Sequence, residues 1–339
     1  MNLKQRIISH LVQNPDASTT EIAFRLDINQ RTVQRYLLEL IAGNIVKKEG
    51  GSKNTKYNIH SEYIITGDLD YDLDDRRLET ELSIPFNMDI FKTLNNINLF
   101  NDKEVIKINS IIAKHKAKNR NIDPASKKRE LERLIVEFSW KSSTIEGNTY
   151  SLLETEELLV NNHPSPNHTK SETQEILNHK KTLDWIIKNS EYFKNEIKLK
   201  QIIEIHKLLT DNLPIQDNLR YSGVGITGSL YKPLDNQHQI KEAIEKMLEL
   251  INCKNPIEKS LLLTLLISYI QPFADGNKRT SRLLSNAVLF ANDLPLLSYR
   301  STPVVDYKTA TILFYELNNI FKFKKIFIEQ LEYYTSYYQ

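Results

Sequence analysis

Apolar residues recur along this chain at helical spacing, and only short stretches alternate. Leu3, Ile7, Ile8, Leu11 and Val12 share one helical face, and Pro15 stops that helix. Ser18 with Glu21 forms an S-x-x-E capping box that opens a second helix, which carries Ile22, Ala23 and Leu26. After a turn at Asp27-Ile28-Asn29, a third helix is expected over about 30–42, with Val33, Tyr36, Leu37 and Leu40 inward and Gly43-Asn44 at its end. Residues 45–49 and 55–59 then flank a Gly50-Gly51-Ser52 turn and read as a two-stranded wing. Further helices are expected over about 87–98, 102–118, 124–143, 172–187, 198–209, 234–251, 256–270, 278–291, 304–320 and 325–337, with Asp235 as a candidate N-cap. The segment 256–270 is strongly apolar and predicts a buried central helix. Its longest apolar run, Leu261 to Ile270, is too short to span a bilayer.

These elements predict a mainly α chain in three parts: residues 1–60, a connector at 61–125, and a helical domain at 126–339. With 339 residues, 40% of them hydrophobic, the chain can bury a proper core. The formal net charge of +2 is uninformative, but its distribution is not. Residues 1–60 hold nine Lys/Arg against five Asp/Glu, whereas residues 61–82 hold eight acids against two bases. Within the acidic part, Gly67 to Asp74 with Glu79 imitates calcium-loop spacing, but Leu73 stands where the sharp turn needs glycine. An acidic linker is the expectation. A single cysteine, Cys253, excludes an internal disulfide framework. No charged segment followed by an apolar run opens the chain, so a cytoplasmic protein without a membrane anchor is expected. Tyr333, Tyr334, Tyr337 and Tyr338 could pack on the helical domain or on a partner.

Three short helices and a basic hairpin resemble a winged helix-turn-helix domain. The third helix offers Asn29, Gln30, Arg31, Thr32, Gln34 and Arg35, side chains suited to phosphates and base edges. Lys47, Lys48, Lys53 and Lys56 on the wing suit the DNA backbone. The resemblance implies double-stranded DNA as a partner; the same fold also serves protein contacts and dimerisation.

The chemistry concentrates in Gln271-Pro272-Phe273-Ala274-Asp275-Gly276-Asn277-Lys278-Arg279-Thr280-Ser281-Arg282. It reads as a phosphate-binding loop that opens a helix. Asp275 offers a carboxylate for Mg²⁺, and Gly276 permits a tight turn close to an anion. Asn277 and Lys278 stand where backbone N–H groups favour anions, and Arg279 and Arg282 stand three apart on the expected helix. Together they suit a polyphosphate.

This stretch resembles the core motif of the Fic family, His-x-Phe-x-Asp/Glu-Gly-Asn-Gly/Lys-Arg-x-x-Arg, at every defined position but the first. Gln271 stands where the family has its catalytic histidine. The resemblance covers about 130–300, and more loosely 85–320. It implies a Fic-type helical bundle with a small β-hairpin flap, ATP and Mg²⁺ as ligands, and AMP transfer to a Ser, Thr or Tyr hydroxyl of a protein target. Ser142-Ser143-Thr144-Ile145-Glu146-Gly147 matches the family's inhibitory Ser/Thr-x-x-x-Glu-Gly/Asn, with Leu152, Leu153, Leu158 and Leu159 following. By that resemblance Ser142, Glu146 and Gly147 belong to an inhibitory helix near 142–160, and Glu146 pairs with Arg282. Read alone, Ser143 with Glu146 is also an ordinary capping box. The Gly-rich stretch 220–233 looks like the flap, with Gly225, Ile226, Thr227 and Gly228 at the place for a target strand. His206 reads as a structural helical histidine.

Gln271 divides the expectations. An amide takes no proton near pH 7, so the general base is missing while the anion site is intact. An adenylyltransferase-like protein, slow or redirected, is one reading. A nucleotide-sensing pseudoenzyme that regulates transcription is the second. A phosphotransferase like the Doc branch, which shares Lys278, or an AMP-removing hydrolase is the third. A homodimer is left open.

Overall fold

The computed structural model describes residues 2–51, 54–69 and 83–338. It divides into two compact units, one of residues 1–82 with 312–323 and one of residues 83–311 with 324–339.

The first unit opens with α1 (Leu3–Gln13), α2 (Thr19–Leu26) and α3 (Gln30–Ala42), followed by β1 (Val46–Glu49) and β2 (Lys56–Ile59). The helical periodicity predicted above is what closes its core: Ile7, Leu11, Ile22, Val33, Leu37 and Leu40 are all buried, with Val46, Tyr57 and Ile59 from the wing. The Ser18–Glu21 capping box forms, satisfying two donors at the start of α2. β1 and β2 pair antiparallel with Val46 opposite Ile59 and Glu49 opposite Lys56. Tyr57 and Ile59 of β2 alternate into the core, whereas in β1 only Val46 is buried and Lys47 and Lys48 are exposed. The connector is not wholly irregular: α4 (Ser61–Thr66) forms and buries Ile65. Most of the calcium-loop-like stretch, from Asp70 on, lies outside the described residues, as does Lys53.

The second unit is helical. α5 (Ile90–Asn96), α6 (Asp102–Asn121), α7 (Pro124–Ile145), α8 (Leu152–Asn161), α9 (Lys170–Lys188), α10 (Leu199–Leu209), α11 (Gln237–Asn252), α12 (Pro256–Ile270) and α13 (Asn277–Ala291) follow in order. α14 (Val304–Leu317) and α15 (Phe321–Tyr337) come last, and the end of α14 and start of α15, residues 312–323, belong to the first unit. Every residue of α12 from Lys259 to Ile270 is buried, so this helix is the axis of the bundle. Its polar residues are matched internally: Ser260 Oγ lies 2.6 Å from Ser285 Oγ of α13, and Lys259 Nζ donates to Asn195 O at 2.8 Å.

Four expectations are corrected. No single helix runs through 142–160: α7 ends at Ile145 and α8 begins at Leu152. α11 is capped by Asn236, whose side chain accepts from the His238 and Gln239 N–H groups, and not by Asp235. Ser143 and Glu146 lie at the C-terminal end of α7, where Glu146 is the C-cap, so they form no N-terminal capping box; Ser151 and Glu154 do, at the start of α8. The flap is not a hairpin. β4 (Tyr231–Lys232) pairs in parallel with β3 (Ile84–Pro85), far upstream. Ile226 to Ser229 form a turn closed by a 3.2 Å hydrogen bond from Ser229 N–H to Ile226 O, with Gly228 at φ 80°.

The C-terminal tyrosines pack on the bundle. The Tyr337 ring lies 4.1 Å from the Arg133 guanidinium, and the Tyr338 hydroxyl donates to Glu137 of α7. Glu137, buried, is further matched by Arg133 at 3.1 Å and by Arg300. Among the described residues no helix is long and apolar enough to cross a membrane.

Candidate active site

The loop between α12 and α13 is built by its own side chains. α12 ends at Gln271, whose backbone turns left-handed at φ 52°, a conformation that costs a non-glycine residue free energy and reverses the chain there. Asn277 then clamps the turn. Its Oδ1 accepts from Phe273 N–H at 2.8 Å, and its Nδ2 donates to Phe273 O at 2.8 Å and to Gln271 Oε1 at 2.9 Å. The other end of the Gln271 amide, Nε2, donates to Ser268 O at 2.6 Å.

Two residues outside the motif complete the loop. Arg220, 1% exposed, donates from Nε to Gln271 O at 2.6 Å and from its backbone N–H to Pro272 O at 3.0 Å. Its guanidinium also reaches Ser222 O and Leu234 O, so it staples the flap segment to the loop. His206, fully buried, stacks on Phe273 with ring centroids 3.7 Å apart, and its Nε2 lies 3.0 Å from Asp275 O. Burial lowers the His206 pKa against the opposing pull of the Asp275 carbonyl. The lone helical histidine is structural, but it structures the site itself. No feature of the local sequence distinguishes either residue; only the fold brings them to the loop.

Gly276 begins α13 at φ 78° with no side-chain cap, leaving the first-turn N–H groups without the usual side-chain acceptor. Asp275 Oδ1 accepts from Gly276 N–H at 2.6 Å, and its side chain is 65% exposed. Among the described residues no cluster of three or more acidic, His or Cys side chains could cage a metal. One exposed carboxylate beside an uncapped helix start fits Mg²⁺ held jointly with phosphates and water, and does not fit an all-protein cage.

Opposite this loop the end of α7 closes on Arg282. The Arg282 side chain is fully buried, and each of its nitrogens has an acceptor. Nε donates to Ser142 Oγ at 3.0 Å, Nη2 to Ser142 O at 2.8 Å, and Nη1 to Glu146 Oε1 at 2.9 Å and to the Tyr307 hydroxyl at 3.3 Å. The second oxygen of Glu146 lies 3.3 Å from Lys278 Nζ. Burial alone would raise the Glu146 carboxyl, but the charges of Arg282 and Lys278 outweigh it and hold the pKa below the ordinary value. Gly147, at φ 104°, turns the chain away immediately afterwards. Arg279 is held differently, by Glu175 Oε1 at 3.1 Å and Asp275 Oδ2 at 3.4 Å. Glu175 was not legible as a site residue, since nothing in its helical surroundings marks it.

The structure thus brings Gln271, Asp275, Gly276, Asn277, Lys278, Arg279 and Arg282 together with Ser142, Glu146 and Gly147. At the flap, Gly225, Thr227 and Gly228 are exposed and Ile226 is half-buried. In the first unit Arg31, Gln34, Arg35, Lys47 and Lys48 are exposed and Thr32 is half-buried. Asn29 is exposed, and its Oδ1 accepts from Arg31 N–H at 2.9 Å and caps α3. Lys47 is partly neutralised by Glu49 at 2.6 Å.

Residues 196–289 match the Fic/DOC family, and residues 2–47 match the winged helix-turn-helix DNA-binding family. The protein adenylyltransferase Fic of Nematostella vectensis is 28% identical over 189 residues, 53% of this chain and 43% of that protein. The corresponding protein of Drosophila erecta is 29% identical over 175 residues, 50% of this chain and 35% of that one. The chain spans less than half the length of these curated relatives. Among solved structures, a Fic domain containing signaling protein from Bacteroides thetaiotaomicron superposes with a TM-score of 0.58 at 22% identity, covering 68% of this chain and 94% of that chain. Fic-1 from Caenorhabditis elegans gives 0.58 at 19% identity, covering 69% and 71%. This chain therefore carries a Fic-family domain joined to an N-terminal winged helix-turn-helix domain.

Proposed function

We propose that this protein binds ATP at the start of α13 and transfers AMP to a protein hydroxyl, at a rate restrained by Glu146 and by Gln271. The Arg282–Glu146 ion pair at 2.9 Å carries the reading. A carboxylate there occupies the guanidinium that a phosphate would need, and Arg282 has no nitrogen left over. Phosphates would be held by the first-turn N–H groups of α13, by Arg279, and by Arg282 once Glu146 leaves. Mg²⁺, when bound, would neutralise phosphate charge beside Asp275. In the transfer, the target hydroxyl oxygen bonds to the α-phosphorus, the bond to the β-phosphate bridging oxygen breaks, and pyrophosphate leaves. The proton goes to water, because the Gln271 amide cannot take it. Losing a general base costs about 10²–10⁴-fold in rate. The exposed flap turn at 225–228 is the expected place for the target segment. The winged domain would dock α3 on duplex DNA, with Arg31, Gln34 and Arg35 outward.

A second reading, a nucleotide-sensing DNA-binding regulator without transfer, is favoured by one observation. Both ends of the Gln271 amide are already hydrogen-bonded within the loop, so the side chain acts as a strut. Incubation with α-labelled ATP and Mg²⁺ separates the two. The adenylyltransferase reading expects faint protein labelling in the native chain and strong labelling in Gln271→His/Glu146→Gly. A double variant that binds ATP calorimetrically yet stays unlabelled favours the sensor. If Glu146→Gly binds no ATP at all, both readings fail.

A further inference from the structure

The two motif arginines differ in one respect that gives a role to a residue outside the loop. Arg282 has an acceptor on each nitrogen. Arg279, 3% exposed, does not: its Nε has no hydrogen-bond partner, and its Nη1 faces Glu175 Oε1 at 3.1 Å without hydrogen-bond alignment. Its Nη2 reaches Asp275 Oδ2 only at 3.4 Å. A buried guanidinium with an unmatched donor is costly unless an acceptor arrives. Glu175 is the acid that makes this burial tolerable, and it is itself held. Asn148 Nδ2 donates to Glu175 Oε2 at 3.1 Å and to Glu172 O at 3.0 Å. Asn148 stands two residues beyond Glu146. A continuous polar path therefore runs from the segment that carries Glu146, through Asn148 and Glu175, to Arg279.

We propose that Glu175 is a positioning residue of this site: it orients Arg279 toward the nucleotide phosphates, and Asn148 ties that orientation to the segment carrying Glu146. The inference rests on the reading of the loop as a nucleotide site. The planar guanidinium has donors for a carboxylate and a phosphate together, so Glu175 stays in place when a phosphate binds. Glu146, by contrast, must leave Arg282. The two carboxylates consequently act in opposite directions. Removing Glu146 raises nucleotide affinity, and removing Glu175 lowers it.

The test is calorimetric titration of ATP with Mg²⁺ into full-length Glu146→Gly, Glu146→Gly/Glu175→Gln and Glu146→Gly/Asn148→Ala. Glu146→Gly is expected to bind. Adding Glu175→Gln should weaken binding roughly tenfold, and adding Asn148→Ala roughly threefold, because the carboxylate then keeps its charge but loses its anchor. A merely structural role would lower the melting temperature of these variants without moving Kd. Equal or tighter binding after Glu175→Gln overturns the positioning role while leaving the nucleotide site standing. Failure of Glu146→Gly itself to bind removes the nucleotide reading, and this inference with it. Should Glu175→Gln not fold, the Asn148→Ala arm decides: unchanged affinity there overturns the proposal.

Discussion

Two substitutions test, one side chain at a time, how the site is held. Ser142 supplies both a hydroxyl and a carbonyl to Arg282. Ser142→Ala should cost about 1–3 kcal/mol in urea unfolding, because a buried guanidinium N–H is left without its acceptor. Gly276 differs, because space is not its constraint. A Cβ there would meet His206 Nε2 at 3.5 Å and Leu209 at 3.7 Å, which is ordinary contact. Its φ of 78° is the constraint. Gly276→Ala should therefore fold, with a loss of about 1–2 kcal/mol by the same measurement. The motif residues were legible in the sequence because their chemistry is local, with a carboxylate, a glycine and two guanidinium groups spaced along one helix start. His206, Arg220 and Glu175 were not, because each acts on the loop from another helix or segment and carries no local signature of that role.

Among the elements, α7 bears the most. Its C-terminal end carries Ser142 and Glu146, and its middle is fixed by Glu137 against Arg133, Arg300 and Tyr338. α6 contributes a pH dependence of stability. Burial is the main cause that lowers His115 to about 4, and Asn119 Nδ2 lies 2.9 Å from its Nε2. Between that value and the unfolded pKa near 6.5 the unfolded chain binds a proton that the native chain excludes. The stability that His115 contributes is thus present above about 6.5 and is lost as pH falls toward 4. The loss should reach at most about 1.4 kcal/mol per pH unit, and His115→Gln should flatten this part of a denaturation series. Most helix positions followed from periodicity and caps, with ends within a few residues; α4, in the expected acidic linker, and the break that separates α7 from α8 did not. The flap did not, because a Gly-rich alternating stretch cannot say where its partner strand lies, and here that partner is Ile84–Pro85.

The whole molecule joins a predicted phosphate site and a predicted DNA surface on one chain. For the DNA surface, Arg31→Ala/Arg35→Ala should weaken duplex binding and lower the slope of log affinity against log salt by about 2. Binding unchanged by both substitutions would argue for a protein-docking role of α3. Periodicity, caps and one dense motif were enough to place the two folds and the loop between α12 and α13, because those features depend on residues close together along the chain. The state of the site depends on groups far apart. Glu146 and Arg282, Asn148 and Glu175, and Gln271 and Arg220 meet only when α7, α9 and the flap segment pack around α12 and α13. Burial there turns weak surface charges into specific pairs, and it gives the two neighbouring arginines different numbers of free donors.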